Sequence, residues 1–197
     1  MIIRADSLTP TPWKNGGGIT REIAAGPQGA SLDAFAWRLS LADVAADGAF
    51  SNFAGVDRVL VLLGGAGMRL TEAGGGVHVL DAPLTMARFA GETPIQAALL
   101  DGPTRDFNVM LRRDRARATV NAGRTSCALT LDHDLTFLFC AQGRIDIKLA
   151  DDTRHTLEAG DTLRVERAGA LECTVREGAS WLHIGIDMVQ DRRTARE

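Results

Sequence analysis

The feature that most constrains the fold of this 197-residue chain is a rhythm of short apolar or alternating runs separated by Gly, Pro, Asp and Asn. Residues 35–42 (FAWRLSLA), 57–65 (DRVLVLLGG) and 106–113 (DFNVMLRR) are typical of these runs. No long stretch has the i, i+3, i+4, i+7 apolar spacing of an amphipathic helix. Strands that recur roughly every 8–12 residues with turn signals between them predict an all-β sandwich or barrel.

The chain also looks like two similar halves. Residues 56–70 and 134–149 each contain a hydrophobic strand, a glycine turn and an amphipathic strand. We expect a first half over residues 1–112 that holds a ligand pocket, a second half over 113–190 that is mainly scaffold, and a tail at 191–197. A chain of this length can form two small half-domains that share a core.

Charge and composition argue against several classes of partner. The net charge of −3 is unlike the basic face of a nucleic-acid-binding protein. No apolar run approaches the roughly 20 residues of a membrane-spanning helix, and residues 1–10 lack the apolar core of a signal peptide. Cys127, Cys140 and Cys173 have no CxxC spacing and are expected to be small buried hydrophobes. We therefore expect a cytoplasmic protein that binds neither nucleic acid nor membrane.

The strand rhythm, with EAGD at 158–161, resembles a cupin, which is a double-sheet jelly roll. Cupins usually carry an H-x-H pair and a nearby glutamate as metal ligands, but Arg58 lies where that pair would fall. The histidines are far apart: His78 follows a glycine turn and is expected at the surface, and His183 is expected in the core. We therefore expect no metal and no cofactor.

Four blocks resemble the HutD/Ves family of metal-poor, bicupin-like proteins. They are residues 12–24 (PWKNGGGITREIA), 37–70, 89–95 (FAGETPI) and 99–113. The resemblance implies two cupin-like jelly-roll barrels packed as one bicupin unit. It also implies a regulatory role linked to histidine utilisation, or, for Ves-type relatives, a link to cold and stress responses. The family supplies no established catalytic residues to carry over.

The glycine triplet in PWKNGGGITREIA admits two interpretations. Glycines can adopt positive φ, and their successive backbone N–H groups can form an anion-binding nest. Flanking side chains would complete such a site, and the candidates are Trp13, Lys14, Asn15, Gly17 and Arg21. Alternatively, the loop is a tight turn that starts the first strand, with Trp13 as a hydrophobic plug.

Polar residues within the strands suggest a second candidate site inside the N-terminal barrel. Arg38 and Ser40 share one face of their strand, and Arg58 lies on another strand. The full candidate set is Arg38, Ser40, Arg58, Asp106, Asn108 and Met110. An arginine fork matches a carboxylate, so an arginine without an internal partner would mark a ligand site. The alternative is an internal Arg–Asp pair with Asp57 or Asp106 that braces the barrel.

These residues favour a protein that binds a small anionic metabolite. The family resemblance implies that it has a regulatory role and that the metabolite comes from histidine catabolism, with urocanate, formiminoglutamate, formylglutamate and formate as candidates. A metal-independent isomerase or lyase is the alternative, with Glu22, Asp106 or His183 as its acid or base. No nucleophile–base pair stands out, so no catalytic residue is assigned and an enzyme is the less favoured reading. A third alternative is an interaction protein that forms a homodimer through its sheets.

Overall fold

The computed structural model describes residues 1–166 and 169–189, and most of these residues lie in β-strands. The predicted tail at 191–197 and residue 190 lie outside the described residues. A single 3₁₀ turn spans Ala5–Ser7 in the described part of the chain. The strands are β1 (Ile2–Ile3), β2 (Pro10–Pro12), β3 (Gly18–Gly26), β4 (Trp37–Val44), β5 (Gly48–Ala49), β6 (Val56–Gly64), β7 (Met68–Glu72), β8 (Val77–Leu80), β9 (Met86–Ala90), β10 (Ile95–Leu99), β11 (Thr104–Arg112), β12 (Ala116–Gly123), β13 (Cys127–Leu131), β14 (Leu135–Gln142), β15 (Arg144–Leu149), β16 (Arg154–Glu158), β17 (Thr162–Val165), β18 (Gly169–Val175) and β19 (Ser180–Met188).

Strands β2 to β11 form the N-terminal barrel from two facing sheets. One sheet has the order β2-β3-β4-β11-β6-β9 and the other β5-β10-β7-β8. Alternate residues of each strand point between the sheets because side chains alternate along a strand. The apolar core between these sheets consists of Val44, Leu60, Leu62, Met68, Leu70, Leu80, Ala87, Phe89, Ile95 and Ala97.

Strands β12 to β19 form the C-terminal barrel, with sheet orders β1-β17-β14-β19-β12 and β13-β18-β15-β16. The short β1 joins this barrel, since Ile2 pairs with Leu163 of β17. The core between the two sheets is almost wholly apolar and includes the buried free thiols of Cys140 and Cys173. Cys127 is half-buried beside this core. The cysteines thus lie in or against the C-terminal core, as the sequence predicts.

The largest sheets of the two barrels pack against each other through a third core. Trp37 meets Phe137 with ring centroids 5.3 Å apart, and Phe107 meets Phe139 at 4.8 Å. Central strands such as β6 and β11 are buried on both faces, which explains the hydrophobic run at 59–63 of β6 and the burial of Asp106 and Asn108 within β11. No helix among residues 1–166 and 169–189 has the length and apolar character needed to cross a membrane. The all-β prediction is confirmed.

Candidate functional site

Five of the predicted site residues lie side by side inside the N-terminal barrel. Met110 of β11 pairs directly with Arg38 on one side and Arg58 on the other. Asn108, two residues earlier on the same face, pairs with Ser40 of β4. This row forms because β4, β11 and β6 are neighbours in the sheet and their even-numbered residues point inward.

Arg58 is buried, with only 7% of its surface exposed, and its side chain makes no hydrogen bond or ion pair with any described residue. Three phenylalanine rings surround its guanidinium carbon, at 5.0 Å for Phe50, 5.8 Å for Phe53 and 5.2 Å for Phe89. Burial, together with the nearby positive charge of Arg38, lowers the pKa of Arg58 to about 10. Cation–π contacts favour the charge but leave its N–H donors without acceptors.

The internal ion pair that was the alternative for Arg58 does not form with either candidate aspartate. Asp57 instead accepts a hydrogen bond from Arg113, with Nε and Oδ1 2.5 Å apart. Asp106 lies two inward-facing positions beyond Met110, and neither of its carboxylate oxygens has a hydrogen-bond partner among the described residues. Arg58 is therefore a buried cation whose side chain has no carboxylate partner among the described residues.

Arg38, in contrast, is held by its neighbours. Its Nε donates to Glu22 Oε2 at 2.7 Å, and its Nη1 donates to Ser40 Oγ at 3.3 Å. The same Nη1 lies 4.0 Å from the sulfur of Met110. Glu22 is about half exposed, so this end of the barrel reaches solvent. Arg38 is thus a positioned cation beside the buried Arg58.

Hydrogen-bond acceptors lie deeper in the same barrel. The side-chain oxygen of Asn108 is buried and has no partner within the described chain. Burial raises the pKa of the Asp106 carboxyl to about 7; the nearby Thr104 hydroxyl opposes this rise, although it lacks hydrogen-bond geometry to the carboxyl, and Asp43 adds to it. Buried polar groups are normally paired, so these acceptors can receive donors from a ligand or from water.

His78 joins the same end of the barrel from the facing sheet. It pairs with the buried Leu70 and lies two residues before the buried Leu80, so its side chain points inward. Its side chain is 30% exposed, so His78 is half-buried rather than fully at the surface. His78 Nε2 and Glu72 Oε1 are 2.8 Å apart, and the His78 ring centroid lies 6.3 Å from that of Phe89.

The glycine loop forms a hairpin turn at the other end of β3. The Trp13 N–H donates to the Gly18 carbonyl at 2.9 Å, and the Gly17 N–H donates to Asn15 Oδ1 at 3.0 Å. The Trp13 ring packs against the barrel core, and its Nε1 donates to Thr20 Oγ1 at 2.7 Å. These contacts match the second interpretation of the glycine loop, in which it is a tight turn and Trp13 is a hydrophobic plug.

The loop and the arginine row are far apart. Gly18 pairs with Val44, whereas Arg38 lies six residues earlier on β4, which is about 20 Å along a strand. Lys14 is exposed in the loop. Arg21 pairs with Leu41 and binds Asp43, so it lies on the opposite sheet face from Arg38. The structure therefore does not bring Trp13, Lys14, Asn15, Gly17 or Arg21 into the arginine site.

Sequence reasoning missed the three phenylalanines around Arg58 and the Glu72–His78 pair. Alternation in VHVL (77–80) could have placed His78 on the inner face with Leu80. Phe50 and Phe53 lie outside regular strands, so no periodicity identifies them. No three His, Cys, Asp or Glu side chains within the described ranges are grouped as metal ligands.

A groove of about 720 Å³ lies elsewhere, between the two barrels. Its lining includes Trp37, Arg115 and Arg164. Arg164 lies over the Trp37 ring, 5.8 Å from its centroid, and pairs with Glu166 at 2.8 Å. Arg164 differs from Arg58 in having a carboxylate partner, although its Nε is likewise buried without a hydrogen-bond partner among the described residues.

Comparisons with known proteins agree with this architecture. The HutD family model matches residues 5–183. A 21.2 kDa protein of Pseudomonas putida, from the hutC 3′ region, is 37% identical over 165 residues, covering 84% of this chain and 86% of that protein. Protein Ves of Cronobacter sakazakii is 47% identical over 117 residues, covering 57% of this chain and 61% of that protein.

Solved structures give the fold. HutD from Pseudomonas fluorescens SBW25, solved in a formate condition, superposes with a TM-score of 0.83 at 30% identity, covering 95% of this chain and 98% of that one. Lactobacillus farciminis oxalate decarboxylase superposes with a TM-score of 0.65 at 8% identity, covering 94% and 85%. The two-barrel cupin-like fold predicted from the sequence is confirmed.

Proposed function

The chain belongs to the HutD family, and we propose that it binds a small carboxylate metabolite of histidine catabolism in its N-terminal barrel and acts in regulation. The single observation that carries the proposal is Arg58, a buried cation whose side chain makes no hydrogen bond or ion pair with any described residue. A bound carboxylate would supply the missing acceptors for its guanidinium.

The surroundings of Arg58 support a ligand that carries negative charge. Arg38 adds a second cation, and the rings of Phe50, Phe53 and Phe89 exclude water from the contact. Electrostatic attraction is stronger in such a low-dielectric setting than in water. The names of the relatives, HutD and a protein of the hutC region, support histidine catabolism as the source of the metabolite.

A thermal-unfolding panel tests the proposal with urocanate, formiminoglutamate, formylglutamate and formate. A ligand at 100 times its Kd stabilises the folded state by about 2.7 kcal/mol. We expect one acid to raise the Tm of the wild type but not of Arg58→Met. Arg164→Met, which removes a stacked arginine from the other barrel, is the matched control and keeps the shift. No shift with any of the four acids contradicts the proposal.

A metal-independent enzyme is the second candidate, and the pKa of about 7 for the buried Asp106 is the observation that favours it. A carboxyl with such a pKa can both give and take a proton near neutral pH. Glu22, a second carboxylate, lies beside Arg38, whereas His183 lies in the C-terminal barrel. NMR spectra of the four acids after prolonged incubation with the protein would reveal turnover, and unchanged spectra leave the binding role.

The proposal includes a cytoplasmic location, no nucleic-acid or membrane partner, and no metal or cofactor. A homodimer formed through the sheets is one assembly that would suit a regulatory protein. Sedimentation at several protein concentrations measures this assembly directly.

A further inference from the structure

We propose that His78, held by Glu72, accepts a hydrogen bond from the ligand, so that the N-terminal barrel selects carboxylates that also carry an N–H group. This inference rests on the proposed function, because it assigns the facing wall of the same site. It adds a requirement that a plain carboxylate does not meet.

The position of His78 places it across from the arginines. His78 lies on β8 of the four-stranded sheet, and Arg58 lies on β6 of the six-stranded sheet. Both flank the ring of Phe89, whose centroid is 5.2 Å from the Arg58 guanidinium carbon and 6.3 Å from the His78 ring centroid. The two side chains thus approach the same ring from the two sheets of the barrel, and a ligand that extends from Arg58 past Phe89 would meet His78.

The Glu72 contact fixes what His78 can do. A carboxylate only accepts hydrogen bonds, so His78 Nε2 is the donor in the 2.8 Å contact with Glu72 Oε1. In the neutral ring the lone pair then lies on Nδ1. Nδ1 has no hydrogen-bond partner in the described part of the chain. In its neutral form His78 thus presents an acceptor, and Glu72 is the residue that positions it.

The polar groups at this end of the barrel are divided into two kinds. Arg38 and Arg58 supply donors from one wall, whereas His78 Nδ1 and the buried, unpartnered Asn108 Oδ1 supply acceptors. A plain carboxylate satisfies the donors and leaves the buried Asn108 Oδ1 without a partner, which is costly. A carboxylate with an N–H group satisfies both kinds, and this complementarity defines the ligand class.

Two acids of nearly the same shape test the inference. Urocanate carries an imidazole N–H, and 3-(3-furyl)acrylate replaces the imidazole with a furan that has no N–H. We measure the Kd of each by calorimetry with the full chain. One hydrogen bond predicts that the wild type prefers urocanate about tenfold.

Variants assign the preference to His78. His78→Phe keeps a ring but removes the acceptor, and it should bind both acids with similar Kd. His155→Phe, on β16 of the C-terminal barrel, is the matched control and should keep the tenfold preference. Glu72→Gln removes the carboxylate that fixes the tautomer and should reduce the preference without removing the binding of either acid; it also provides a test if His78→Phe fails to fold.

The outcomes separate this inference from the proposed function. A wild type that binds both acids equally, or a preference that survives in both His78→Phe and Glu72→Gln, overturns the inference alone. The same loss of affinity for both acids in His78→Phe also overturns it, because His78 would then act on the carboxylate or on shape. A wild type that binds neither urocanate, furylacrylate nor the other pathway acids contradicts the proposed function, and the inference falls with it.

Discussion

Replacing Asp106 with asparagine should stabilise the protein at alkaline pH and leave it unchanged in acid. The Asp106 side chain is fully buried, and both carboxylate oxygens lack partners among the described residues. Burial raises its pKa from the ordinary value of 3.8 to about 7. Between these two pH values the folded chain keeps a proton that the unfolded chain has released. The free energy of unfolding therefore falls as the pH rises through this window.

The size of the effect follows from the width of the window. About three pKa units at about 1.4 kcal/mol each correspond to roughly 4 kcal/mol that the wild type loses between about pH 4 and about pH 7. Asparagine has nearly the same shape and no proton to lose. The Asp106→Asn variant should therefore match the wild type near pH 4 and exceed its free energy of unfolding by roughly 4 kcal/mol at about pH 8.

Urea unfolding of both proteins across this pH range measures the difference. Subtracting the two curves cancels the titration of every other group, including His183. Asp57→Asn is the control, because Asp57 is exposed and paired with Arg113, and it should show no such gain at alkaline pH. A difference between Asp106→Asn and wild type that is constant with pH would refute the reasoning.

Three further predictions concern the rest of the fold. Gly185→Ala would place a Cβ 2.0 Å from a ring carbon of His133 and should lower the free energy of unfolding in urea by about 1–3 kcal/mol; an unchanged value contradicts the contact. Burial lowers the pKa of His183. As the pH drops below about 6.5, the unfolded chain therefore takes up a proton before the folded chain does, and Tm should fall. The fall should be less steep in His183→Asn. Gly18→Ala meets a backbone carbonyl 2.5 Å away whereas Gly17→Ala meets only a side chain at 3.4 Å, so circular dichroism melting should show a much lower Tm for the first variant than for the second.

Alternation along single strands is the part of the site that the sequence could predict. The period of two along β4 and β11 is local, and it correctly grouped Arg38 with Ser40 and Asn108 with Met110 on inward faces. The absence of helical periodicity likewise predicted an all-β fold. Such patterns need no knowledge of which strands become neighbours.

Contacts between distant segments could not be predicted in this way. The glycine loop carries residue types suited to an anion site, but the register of β3 against β4 places it about 20 Å along the strand from Arg38. Phe50 and Phe53 reach Arg58 from a connection between strands. The role of His78 depends on a facing sheet. Tertiary packing determines each of these positions, and the local sequence pattern does not predict them.

The most direct test of the central claim is a crystal structure of the protein grown with urocanate. The account predicts that the carboxylate lies on the Arg58 guanidinium, inside the N-terminal barrel and among Phe50, Phe53 and Phe89. Urocanate bound instead in the groove lined by Trp37 and Arg164, with no anion at Arg58, would contradict it.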